Sequence, residues 1–285
     1  MSDADVARLR DDYIELLKRA LLGRTVGPTT MLKAIDKRPE PEEGRRARLA
    51  RALAPPPPPP GIPAEPVQFD LSDNLDGKVS VFGLPPWAMT MIGLSRMDNL
   101  ESCVRKVIED GVPGDLIETG VWRGGATIFM RGILRAFGVT DRKVFVADSF
   151  EGVPPPDAER YPADEGMQLH LWPLAVDADE VRANFDRYGL LDDQVEFVEG
   201  WFRDTLPKLR DHRWAVIRLD GDLYESTMDA LDNLYDGLQP GGWLIVDDHD
   251  IIACRHAIAD FRAKRDIDEP IIEIDWTGIC WQKSG

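Results

Sequence analysis

Cysteine is scarce, with three residues in 285: Cys103, Cys254 and Cys280. They lie far apart, form no C-x-x-C pair and leave an odd count, which excludes a disulfide framework and predicts buried thiols. Long apolar runs are missing as well. No window approaches the roughly 18 residues that a membrane span needs, and the opening MSDADVARLRDDY is charged where a signal peptide would be apolar. These two absences predict a cytoplasmic protein with no membrane contact. Positive charge is in deficit, 34 Lys and Arg against 51 Asp and Glu, for a net charge of −17. Despite a local GRRARLAR at 44–51, a field of that sign repels nucleic acid and anionic lipid, leaving a small neutral or cationic ligand as the expected partner. No internal repeat is visible. What remains, 43% hydrophobic and 30% charged, is an ordinary globular composition, and the length suits one large α/β domain with an appendage or two small domains.

Val6, Leu9, Tyr13, Leu16, Leu17 and Leu21 fall at helical spacing within residues 5–22, predicting an amphipathic helix that stops near Gly23 and packs on the surface or dimerises. A charged, Ala/Arg-rich stretch, 37–51, then runs into six prolines, 55–60. Proline fixes φ and lacks an N–H, so 55–66 reads as an extended linker or an ordered surface loop. From Asp115 the pattern becomes short β-rich runs alternating with helical stretches, the signature of βαβ units and a mostly parallel sheet. The runs are 115–120, 144–148, 195–200, 214–220 and 243–248; the helical stretches are 126–137, 181–188, 227–238 and 255–264. Two last runs, 270–275 and 278–282, are close enough to form a terminal antiparallel pair.

The first run ends in Glu118-Thr119-Gly120-Val121-Trp122-Arg123-Gly124-Gly125 and opens a helix. Glycines at such a turn let the backbone approach a ligand, and the helix N-terminus presents free N–H groups. A dinucleotide site would carry G-x-G-x-x-G; this loop is G-x-x-x-G-G with a carboxylate directly before it. Glu118 would repel a pyrophosphate and attract the ammonium or sulfonium of S-adenosylmethionine. Asp148, with Ser149 after it, ends the next run where a carboxylate can accept hydrogen bonds from ribose hydroxyls. Gly200-Trp201-Phe202 follow the third, placed to border an adenine ring.

Two later runs also end in acids: Asp220, with Asp222 two residues on, and Asp247-Asp248 followed by His249. If these strands are neighbours they lie about 4.8 Å apart with their carboxyl ends on one crevice. Converging carboxylates need a cation, and an all-oxygen set suits Mg²⁺, with Mn²⁺ or Ca²⁺ as substitutes. Asp220, Asp247 and Asp248 are the expected ligands, with Asp222 able to replace Asp220 and His249 a lesser candidate. A bound divalent cation lowers the pKa of a hydroxyl, and Asp220 could then accept its proton, which is chemistry for methyl transfer to oxygen.

ETGVWRGGA (118–126), VADSFEGVPPPD (146–157), NFDRYGLLDDQVEF (184–197), GWFRDTLP (200–207), RLDGDLYESTMDAL (218–231) and GGWLIVDD (241–248) together resemble the macrocin O-methyltransferase family, whose members methylate deoxysugars of antibiotic glycosides. The resemblance extends back through TMIGLSRMDNL (90–100) and DYIELLKRALLG (12–23) and forward to the C-terminus, leaving out roughly 38–66. It implies a Rossmann-like class I methyltransferase fold: a mostly parallel seven-stranded sheet, a C-terminal antiparallel strand pair and an N-terminal helical or lid extension. It also implies S-adenosylmethionine as donor, Mg²⁺, and a homodimer or higher homo-oligomer. By that likeness Glu118, Gly120 and Gly124 line the methionine moiety, Asp148 meets the ribose, and Asp220, Asp247 and Asp248 hold the metal, Asp220 also being the base. The expected division is a helical extension (1–54), a proline-rich linker (55–66), a helical substrate cover (67–110) and the methyltransferase core (111–285). Two departures stand out: the proline run, and His249 where the family would have Tyr. A phenolic or catechol-like acceptor, or a non-catalytic S-adenosylmethionine-binding protein, are the competing readings.

Overall fold

A computed structural model of the chain describes residues 2–25, 84 and 87–285. The stretch 37–51, the linker 55–66 and the first part of the expected cover, 67–83, lie outside the described residues. Strands β1 (Asp115–Thr119), β2 (Val144–Asp148), β3 (Val195–Glu199), β4 (Trp214–Leu219), β5 (Leu238–Val246), β6 (Ile272–Glu273) and β7 (Ile279–Gln282) form one sheet in the order β3-β2-β1-β4-β5-β7-β6. The first five are parallel; β7 is antiparallel to β5 and to β6. This is the expected Rossmann-like class, including its terminal antiparallel pair. β4 is buried along its whole length, as a central parallel strand covered on both faces must be. Its Arg218, fully buried amid apolar neighbours, is therefore costly without partners.

Helices α1 (Asp3–Leu21), α2 (Leu94–Glu109), α3 (Gly125–Ala136), α4 (Ala178–Arg187), α5 (Phe202–Thr205), α6 (Tyr224–Leu234) and α7 (Ile252–Lys264) cover the sheet. Several expected bounds shift, 181 to Ala178 and 255 to Ile252 among them. The helical stretch 227–238 begins at Tyr224 and ends at Leu234, and β5 starts five residues before 243, because Leu238 pairs with Trp214 across a register shift in β4. Among the described residues no helix is long and apolar enough to cross a membrane. All three cysteines are buried free thiols.

α1 begins with a reciprocal cap: Ser2 Oγ accepts from the Asp5 N–H while Asp5 accepts from the Ser2 N–H. The apolar stripe expected to pack is divided by the fold. Ile14, Leu17 and Leu21 are buried against α3, whose Gly132 leaves room for the Leu17 side chain, whereas Val6, Leu9, Tyr13 and Leu16 face outward. Lys18, 5% exposed, ties α1 to α2 through Asp98 (2.5 Å) and Glu101 (2.7 Å). Met97, Leu100, Val104 and Val107 of α2 are wholly buried in the main core.

Candidate active site

Strand order reverses between β1 and β4, and at such a switch point the carboxyl ends open a crevice. Register then decides which side chains meet there. Glu118 pairs with Arg218, Thr119 with Leu219, and Leu219 with Val246. Alternation along each strand places Glu118, Arg218, Asp220 and Asp247 on one face. Backbone bonds extend the ladder past the strand ends, from Gly120 N–H to Ala147, Asp220 N–H to Thr119 and Asp247 N–H to Leu219.

The Arg218 guanidinium sits at the centre. Its Nη1 meets Glu118 and Asp220 (2.6 Å to the latter), and its Nη2 meets Asp247. Arg96, reaching in from α2, pairs with Asp247 and with Asp275 (3.0 Å). Asp275 also accepts from the Thr277 and Gly278 N–H groups, and Thr277 Oγ1 donates to the Asp247 carbonyl. The short turn between β6 and β7 is thus fastened to the end of β5.

These charges border a cavity of about 360 Å³. Glu118, Gly120, Val121, Trp122, Asp148 and Ser149 line it together with Asp220, Asp222, Asp247 and Asp248. Trp201, Phe202, Trp172 and Trp276 add aromatic surface. The structure therefore brings both carboxylate sets into one space. Thr119, Arg123, Gly124, Gly200 and His249 do not line it. Thr119 is buried beneath the loop, its hydroxyl toward the Arg218 carbonyl; Arg123 lies over Trp122 and donates to the Ala88 carbonyl. Gly124 caps α3 in a left-handed conformation (φ 85°). The His249 carbonyl accepts from Arg255, and burial with that cation lowers the ring's pKa.

The donor half has the chemistry of an S-adenosylmethionine site. Glu118 Oε2 is buried with no hydrogen-bond partner among the described residues, and burial, only partly offset by Arg218, pushes the carboxyl up to about 8. Arg218 takes Oε1, and Oε2 is left for a donor group of a ligand. Gly120 (φ 89°) lies so close to the Asp220 carbonyl that a Cβ would overlap it, leaving bare backbone beside the cavity. Asp148 is shaped by the Val121 and Phe150 N–H groups, both at 2.7 Å.

The second half fits a divalent cation. Asp220, Asp247 and Asp248 each offer an oxygen, and these lie within 4.8 Å of one another. Asp222 and Asp248 have no Lys or Arg ion-pair partner among the described residues. Burial and the surrounding carboxylates push Asp222 up to about 8, Asp248 well above the usual range, and Asp220 up as well. Such a hard-oxygen cluster, short of positive charge, is what Mg²⁺ or Mn²⁺ neutralises. Asp222 is held at φ 60° in a three-residue turn closed by the Leu223 N–H on the Gly221 carbonyl. Trp122 and Phe150 also have positive φ, so backbone strain gathers at strand ends around the cavity.

Sequence reasoning passed over Arg96, Arg218, Asp275 and the Trp276-Thr277 link. Arg218 alone left a trace: one cation inside the apolar run WAVIRLD has to find buried acids.

Compared with known proteins, the chain matches the family described as Macrocin-O-methyltransferase (TylF) over residues 10–283. It is 55% identical over 222 residues to the 8-demethyl-8-(2,3-dimethoxy-alpha-L-rhamnosyl)-tetracenomycin-C 4'-O-methyltransferase of Streptomyces olivaceus, covering 77% of this chain and 85% of that one. It is 52% identical over 204 residues to the Mycinamicin III 3''-O-methyltransferase of Micromonospora griseorubida, covering 70% and 80%. The solved structure of the O-methyltransferase NovP superposes with a TM-score of 0.75 at 41% identity, covering 97% of this chain and all of that one.

Proposed function

This chain belongs to the macrocin O-methyltransferase family and is an S-adenosylmethionine-dependent O-methyltransferase; from that premise we propose that it methylates a deoxysugar hydroxyl of an antibiotic or other secondary-metabolite glycoside with a divalent cation, Mg²⁺ first. The observation that carries this reading is the pair of carboxylate sets in one cavity, Glu118 and Asp148 beside Asp220, Asp247 and Asp248.

Glu118, Gly120, Val121, Trp122, Asp148, Ser149, Trp201 and Phe202 hold the donor, with Thr119, Arg123, Gly124 and Gly200 shaping the loops beneath. Asp220, Asp247 and Asp248 hold the cation, and Asp222 stands close enough to Asp248 to serve in the set, its N–H 3.2 Å from Asp248 Oδ2. When bound, the cation supplies the Lewis acidity that lowers the pKa of an acceptor hydroxyl. Asp220 accepts the hydroxyl proton, and Arg218 keeps that carboxylate oriented. The aromatic and aliphatic lining excludes water from the methyl group and covers the apolar face of the acceptor.

The same reading keeps the division at 55–66 and 67–110 ahead of the core, and a cytoplasmic setting. It also makes the protein a homo-oligomer. Val6, Leu9, Tyr13 and Leu16, each at least 38% exposed, follow the three-and-four spacing of a helix-pair seam, and a two-fold pairing would cover both copies of the stripe.

The deciding experiment is turnover. The purified protein is incubated with S-adenosylmethionine and four acceptors, mycinamicin III, the rhamnosyl-tetracenomycin of the Streptomyces olivaceus enzyme, catechol and 3,4-dihydroxybenzoate, with Mg²⁺ or with EDTA. Methyl transfer to a glycoside in Mg²⁺ and its loss in EDTA is the expected result. Transfer to the catechols alone, or full activity in EDTA, overturns the proposal.

A further inference from the structure

Helix α6 begins without a cap of its own. Leu223 occupies the cap position and offers no side-chain acceptor, so the first amides of the helix need partners from elsewhere. They find them sixty residues back in the chain. Asp164 Oδ1 accepts from the Tyr224 N–H at 2.7 Å, and Oδ2 accepts from the Glu225 N–H at 3.1 Å. Asp164 is fully buried, and a buried carboxylate is tolerated where both oxygens are satisfied at the positive end of a helix.

The segment that delivers Asp164 is the long connection from β2 to α4. A connection of this length inside a compact domain is usually functional. Its two ends come together where Gly152 (φ 89°) passes Ala175, so closely that a Cβ would stand 3.3 Å from the Ala175 nitrogen. Between them Val153, Pro154, Leu169, Trp172 and Leu174 line the cavity. α6 brings Glu225, Ser226 and Asp229 to the same cavity. The Asp164 carboxylate therefore joins two walls of one space.

We propose that Asp164 is a positioning residue for acceptor binding: by capping α6 from the β2–α4 connection, it holds the apolar wall of Leu169, Trp172 and Leu174 against the polar wall of Glu225, Ser226 and Asp229. The proposal rests on the reading of this cavity as the acceptor site. Its chemistry suits an amphipathic glycoside, whose hydroxyls donate to the carboxylates while its apolar portion lies on the indole and leucine side chains. Neither the donor carboxylates, Glu118 and Asp148, nor the Asp220, Asp247 and Asp248 cluster touches Asp164, so the residue acts on acceptor affinity and leaves donor affinity and the chemical step alone.

The test compares wild type with Asp164→Ala and Asp164→Asn in three measurements: steady-state kinetics with whichever of mycinamicin III and the rhamnosyl-tetracenomycin the wild type methylates, calorimetric affinity for S-adenosylhomocysteine, and amide hydrogen exchange. Asp164→Ala is expected to raise the acceptor KM about tenfold with kcat and cofactor affinity each within about twofold, and to speed exchange over 153–174 and in the first turn of α6. Asparagine is itself a good cap, so Asp164→Asn should recover part of the KM, and it carries the test if the alanine variant does not fold. An acceptor KM that stays within twofold in both variants overturns the proposal even if exchange rises, because the cap would then be structural only. A fall in kcat or in cofactor affinity matching the KM change overturns it too. A wild type that methylates neither glycoside overturns the underlying acceptor reading and the proposal with it, and exchange then reports only whether the cap exists.

Discussion

Asp229 of α6 feels the charges of Glu225 and Asp232 on its own helix and of the Arg160 and Arg203 guanidinium groups. Burial first, and the Glu225 charge second, push its carboxyl up to about 6 from an ordinary value of 3.8. The folded state thus binds a proton between those values that the unfolded chain has released, so the group's contribution is present below about pH 4 and is lost as pH rises through 6. Asp229→Asn should therefore raise the melting temperature at pH 7.5 by about 2–4 °C, the size of roughly 1 kcal/mol after solvent screening, and leave it unchanged at pH 4. Thermal unfolding at the two pH values checks this, and a gain that persists at pH 4 would show that the residue is not titrating as described. At this scale the sequence was readable where chemistry coincides with strand ends: Glu118, Asp148, Asp220, Asp247 and Asp248 each follow an apolar run, and the fold brings them to one cavity. Arg96 and Asp275 were not readable. They are 179 positions apart, Arg96 outside any run and Asp275 at the end of a short one, and they gain meaning only when α2 meets the β6–β7 turn. Asp164 was hidden for a related reason, since a cap supplied from sixty residues away leaves no local pattern.

Elements were legible in proportion to how strongly their period or composition marked them. The inner parallel strands β1, β2 and β4 showed as β-rich apolar runs because both faces are covered, and the helices between the strands showed by spacing. β5 is expected to start at 243; tertiary pairing with β4 extends it back through Gln239-Pro240-Gly241-Gly242 to Leu238. α1 illustrates the limit of periodicity. Its apolar residues span two faces, and spacing alone cannot say that Leu17 is inside and Leu16 outside. Leu17 fills the space that Gly132 leaves on α3, so Leu17→Ala should cost about 2–5 kcal/mol from lost burial and the resulting cavity. Denaturant unfolding measures it, and a cost below 1 kcal/mol would mean that α1 is not anchored by this contact.

For the whole molecule, the outward stripe of α1 makes a prediction separate from the active site. Leu16 is 60% exposed, and Leu16→Lys should weaken the self-association of the protein in sedimentation velocity by at least tenfold in dissociation constant, about 1.4 kcal/mol, with the melting temperature unchanged at dilutions where both proteins are monomeric. A wild-type protein that remains monomeric at high concentration removes this surface from the account. The fold class was the most legible property of all, because alternating strands and helices, a glycine turn and a terminal antiparallel pair permit few topologies. The family resemblance covered nearly the whole chain and agrees with the match over residues 10–283. The claim on which the proposed chemistry depends is that the carboxylates at the ends of β4 and β5 hold a divalent cation. The most direct test is a titration of Mn²⁺, followed by electron paramagnetic resonance, into metal-stripped protein saturated with S-adenosylhomocysteine, comparing wild type with Asp247→Asn and Asp248→Asn. The account predicts one bound Mn²⁺ per wild-type chain and at least a tenfold weaker site in both variants; no bound Mn²⁺ in the wild type, or an undiminished site in the variants, would contradict it.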